Sequence, residues 1–68
     1  MSNWQKVYED NRLYRAEIVK SILAEMNMNP VLLNKKDTAY HLGHFEVHVS
    51  PDFVLKAIKI IKDDIKFE

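Results

Sequence analysis

HFEVHV, residues His44–Val49, carries the pattern on which the arrangement of the whole chain turns. Phe45, Val47 and Val49 fall on one side, and His44, Glu46 and His48 on the other. A period of two with β-branched residues predicts a strand with one buried face. Such a strand needs an apolar layer on one side only, so the segments around it must supply that layer. Upstream, VLLN (Val31–Asn34) is a short apolar run that reads as another strand, and Lys35–Gly43 reads as the connection between the two. Before that, RLYRAEIVKSILAEMN places Ala16, Ile18, Val19, Ile22, Leu23 and Met26 on one side of a helix and Glu17, Lys20, Ser21, Ala24 and Glu25 on the other. Asp10 or Asn11 offers an oxygen to cap this helix, and NMNP (Asn27–Pro30) stops it, because proline disfavours helical geometry at the residue before it. WQKVYE (Trp4–Glu9) mixes aromatic, β-branched and polar residues as a half-exposed strand does. Downstream, Ser50, Pro51 and Asp52 start a last helix, with Ser50 as cap and Val54, Ala57, Ile58, Ile61 and Ile65 as core stripe. Phe53, Ile60 and Phe67 flank that stripe. Lys56, Lys59, Lys62 and Lys66 form a solvated side.

The order β-α-β-β-α predicts an α+β, ferredoxin-like fold. A three-stranded antiparallel sheet carries two helices on one face, and the third strand lies between the first two. Residues 1–68 make a single domain, and IKFE (Ile65–Glu68) is too short for a full fourth strand. One sheet face therefore carries no helix, and the first strand keeps a free edge.

Bulk composition narrows the function. A chain of 68 residues hides only about 60% of its unfolded surface. No cysteine is present, so neither a disulfide nor a thiolate cage supports the fold. Lys plus Arg equals Asp plus Glu, ten each, which removes the basic footprint that nucleic-acid binding needs. No stretch approaches the roughly 20 apolar residues that span a bilayer, and MSNWQKVYED has no apolar run of an export signal. The expectation is a soluble cytoplasmic protein that self-associates as a dimer through the first strand or the open face, with no nucleic-acid or membrane partner and no cofactor. Enzyme chemistry is poorly supported: there is no cysteine nucleophile, Ser2, Ser21 and Ser50 lie at the terminus, on a helix and at a cap, and a serine–histidine–acid set would have to recruit Ser50 from its capping task.

The candidate recognition residues lie on the open face and in the Lys35–Gly43 connection. With Val7 pointing to the core, Trp4, Lys6 and Tyr8 share the helix-free side with Glu46 and His48. In the connection, Lys35, Lys36, Thr38 and backbone amides offer an anion cradle, Asp37 a turn or counter-charge, and Tyr40 a ring. The single glycine, Gly43, comes too late for a phosphate loop. A metal reading draws on His41, His44 and Glu46. His44 and His48 are about 13–14 Å apart along a regular strand, too far to chelate one ion together.

KVYEDNRLYRAEI, NKKDTAYHLGHFEVHV and SPDFVLKAIKII, taken in that order and spacing, resemble the prokaryotic signal-transducing protein family. This is a group of small bacterial domains of unknown function. The resemblance spans nearly the whole chain. It implies a ferredoxin-like fold similar to the nitrogen-regulatory PII-like proteins and a regulatory or binding role, and it carries no catalytic residues. PII-like proteins have a long signalling loop between the second and third strands; here that connection is short. The expected function is a small binding or regulatory module for a protein partner or small ligand. Its alternatives are a structural homodimer that consumes its own open sheet, and a histidine-based metal site.

Overall fold

Strand parity and helix periodicity place almost all the apolar side chains on one side of the sheet. The structure, a computed structural model, describes residues 3–37 and 42–65. In chain order the elements are β1 (Gln5–Asp10), α1 (Leu13–Glu25), β2 (Val31–Asp37), β3 (Leu42–Val49), a 3-10 turn over Pro51–Phe53 and α2 (Val54–Asp64). The three strands form one antiparallel sheet in the order β1-β3-β2. This is the ferredoxin-like order without a fourth strand among the described residues.

Both helices cover the same face. Ala16, Val19 and Leu23 from α1, Ala57 and Ile60 from α2, and Val47 and Val49 from β3 belong to a single buried cluster completed by Met28. The shortest dimension of the Cα trace is 15 Å, room for a sheet and one helical layer at about 10 Å spacing but not for a layer on each side. Val7, Tyr8, Leu32, Phe45, Phe53 and Ile65 pack around the cluster.

The end of α1 is set by backbone geometry rather than by the proline. Asn27 takes a left-handed φ of 62°. The Asn27 N–H donates to the Ala24 carbonyl and the Met28 N–H to that of Leu23. These two bonds make a Schellman motif with asparagine in the position that favours glycine. Met28 then inserts beside Leu23, and both are fully buried.

Several sequence expectations change. Neither Asp10 nor Asn11 caps α1: Arg12 is the N-cap residue, and the Asp10 carboxylate instead accepts the Arg12 N–H at 2.8 Å in a local turn. The Ser50 hydroxyl makes no cap bond; its carbonyl accepts the Phe53 N–H and closes the 3-10 turn. Ile18, Met26 and Ile58 are exposed, whereas Ile60 is buried. Ile18 and Ile58 sit at the margins of their apolar arcs, and Met26 is the C-cap residue beyond the end of α1. Phe67 and Lys66 lie outside the described residues.

This distribution separates two isoleucines of equal size. Ile60→Ala should cost about 2–5 kcal/mol by emptying a buried site. Ile58→Ala should stay near about 0.5 kcal/mol, as exposed changes do. Urea unfolding followed by circular dichroism measures both, and equal losses would contradict the assigned helix face.

Candidate functional site

The helix-free face is assembled by cross-strand register. On β3 it presents His44, Glu46 and His48. From β2 it takes Val31 opposite His48, Leu33 opposite Glu46 and Lys35 opposite His44. From β1 it takes Lys6 opposite His48 and Glu9 opposite Glu46.

The β1 contribution depends on a bulge. Pairing runs Lys6 with His48 and then Tyr8 with Val47, so Val7 is the extra residue and alternation breaks there. Tyr8, expected on the open face, therefore turns with Val7 toward the core. Its hydroxyl donates to the Asp10 carboxylate at 2.7 Å, and Arg15 of α1 lies 3.8 Å from the same carboxylate. Burial and the Asp10 bond push the Tyr8 phenol up to about 12. That bond also lowers the Asp10 carboxyl below its usual range. Glu9 takes the place on the open face that Tyr8 was expected to fill.

Glu46 is the hub. One carboxylate oxygen lies 2.8 Å from His44 Nε2 and the other 2.8 Å from His48 Nε2. With the carboxylate ionised, each imidazole donates its Nε2 hydrogen. Although no helix covers this face, the Glu46 side chain is only 13% exposed. Its neighbours shield it. The Lys6 ammonium sits 2.6 Å from Glu9 Oε1 and 3.9 Å from Glu46 Oε2. The bond to Glu9 raises the Lys6 pKa. Hydrogen bonds from His48 and then His44 outweigh burial and hold Glu46 down to about 2. His48 Nδ1 is buried with no hydrogen-bond partner. One ligand-capable atom each from Glu9, His44 and Glu46 lies within 4.8 Å of the other two.

Lys6, Glu46 and His48 thus come together as parity predicted, and Lys35 joins the same face by register. Trp4 precedes β1 and is partly exposed outside the ladder. The Lys35–Gly43 connection is much shorter than read from sequence, because β2 continues to Asp37 and β3 begins at Leu42. Lys36 pairs with Gly43 and Asp37 with Leu42, so the backbone expected to cradle an anion is taken up by the sheet. Thr38, Tyr40 and His41 lie outside the described residues. Glu9 was not singled out from sequence, although one signal was present: strict alternation from an inward Val7 would bury a glutamate and expose a tyrosine, the reverse of their preferences.

A carboxyl held below its ordinary range stabilises the fold above that range. The contribution is complete above the unfolded-chain value of about 4.3 and is lost as pH falls toward about 2. Acid titration of stability should show this loss, damped by salt because the face meets water. In Glu46→Gln the loss should be absent, and the two proteins should converge in stability near the acid limit. Parallel acid profiles would contradict the hub role of Glu46. In comparisons with known proteins, no family model, curated protein or solved structure matches the chain.

Proposed function

We propose that the chain is a small binding or regulatory module whose recognition surface is the helix-free sheet face. One observation carries the reading: five polar side chains, Lys6, Glu9, His44, Glu46 and His48, are held in register there by mutual hydrogen bonds and ion pairs. Val31 and Leu33 border them on β2. Such an ordered polar array beside apolar edges suits recognition of a protein segment or small polar ligand. The resemblance to prokaryotic signal-transducing proteins points the same way, as fold-level analogy. We assign no catalytic role.

The test is face-dependent capture from extract with the immobilised chain. A partner retained by the native protein should be lost with Leu33→Arg, on the open face, and kept with Leu55→Arg, on the exposed side of α2. Loss with the α2 variant alone would place recognition on the helices and overturn the proposal.

A second reading, self-association through β1, is favoured by charge. Antiparallel pairing of two copies about an axis between Val7 and Tyr8 sets Lys6 opposite Glu9 twice. The bulge at that axis works against it, which is why it ranks second. If it holds, light scattering will show a dimer for the native chain, a monomer for Lys6→Glu, and a dimer again for Lys6→Glu combined with Glu9→Lys. A strict monomer at high micromolar concentration removes this reading.

A further inference from the structure

We infer that Glu9, His44 and Glu46 form a binding site for a first-row divalent cation, zinc in particular, on the open sheet face. The inference rests on the recognition-face reading above and gives that face a ligand class.

The argument begins with backbone placement. Glu9 and Glu46 are a directly paired cross-strand couple, and His44 is two residues from Glu46 on the same strand face. Three ligands thus come from two hydrogen-bonded strands, and a ladder holds their Cα atoms in place. The ligand atoms lie within 4.8 Å of one another. Bonds of about 2.0–2.2 Å to one ion bring ligand atoms to about 3–4 Å from each other. Small side-chain rotations close the difference, and Glu9 is free to make them because it is exposed.

The chemistry of the donors fits as well. Imidazole nitrogen suits zinc better than magnesium or calcium, and two carboxylates supply the charge that a dication needs. Three protein ligands leave a position for water or for a ligand group. His48 stands behind the set: its Nε2 is 2.8 Å from Glu46 Oε1, leaving Oε2 on the side of His44. A hydrogen bond of this kind to a ligating group orients it.

A cation already occupies the corresponding electrostatic position. The Lys6 ammonium bridges Glu9 at 2.6 Å and Glu46 at 3.9 Å. Its side chain is 46% exposed and can swing into water when a dication takes its place. His44 then exchanges its hydrogen bond to Glu46 for a metal bond. A neutral imidazole does this by carrying its proton on Nδ1, so no net proton is released.

The experiment is calorimetric and NMR titration of the intact chain with zinc chloride at neutral pH. The expected result is one equivalent bound, with resonances of Glu9, His44 and Glu46 shifting together. Glu9→Gln should weaken binding by more than the roughly 10–100-fold that loss of an outer-shell partner causes. Lys6→Gln should tighten it, since a competing cation is gone. Circular dichroism of both variants checks that the exposed substitutions leave the fold intact. No binding at millimolar zinc, or binding that Glu9→Gln and His44→Gln leave unchanged, would overturn the site; the latter outcome would assign zinc to other donors. If zinc fails while capture remains sensitive to Leu33→Arg, the recognition-face reading stands and only the cation is wrong.

Discussion

Burial on a single side is the constraint from which the rest of the molecule follows. Phe45, Val47 and Val49 of β3 point to one face, and both helices gather there around Leu23, Met28, Val47 and Val49. With no cysteine in these 68 residues to help, this cluster is the main support of the fold. The core residues are aliphatic, and no buried polar or charged residue is found among the described residues. Polar chemistry is thereby displaced to the opposite face. There the sheet backbone fixes where each side chain starts, without the apolar surroundings that would neutralise a charge.

Glu46 shows what that displacement allows. A carboxylate largely removed from water is costly unless donors satisfy it. Two imidazoles and a nearby ammonium do so here, and the result is an anion more acidic than usual rather than less. The same balance leaves His48 Nδ1 buried without a partner. An unmade hydrogen bond of that kind costs about 1–3 kcal/mol. The face is therefore polar, ordered and not wholly satisfied.

How much of this the sequence discloses depends on the range of the forces involved. The alternation in His44–Val49 and the helical arc of Ala16, Val19 and Leu23 are local signals tied to burial, and the element order follows from them. The end of α1 was legible at Asn27–Pro30, but the motif responsible, with Asn27 left-handed and Met28 buried, belongs to three-dimensional packing. The extension of β2 to Asp37 was missed because lysines and aspartate are poor strand formers by propensity, whereas pairing with β3 supplies the hydrogen bonds. Four of the five polar side chains, Lys6, His44, Glu46 and His48, were visible as members of one sheet face. The remainder was not, because a bulge leaves no reliable mark in a single sequence and reverses every assignment after it.

Val7 is the residue that creates the bulge, and Lys6 and Glu9 share a face at a spacing of three only because it is there. Excising it would leave each flanking residue opposite its present partner on β3, with ordinary alternation throughout. The polar array would survive, at the loss of one side chain from the core margin. What would vanish is the local kink, and a straightened outer strand is a better template for an incoming chain. Loss of this one residue is therefore expected to leave the polar face in place while making the outer strand more open to strand addition.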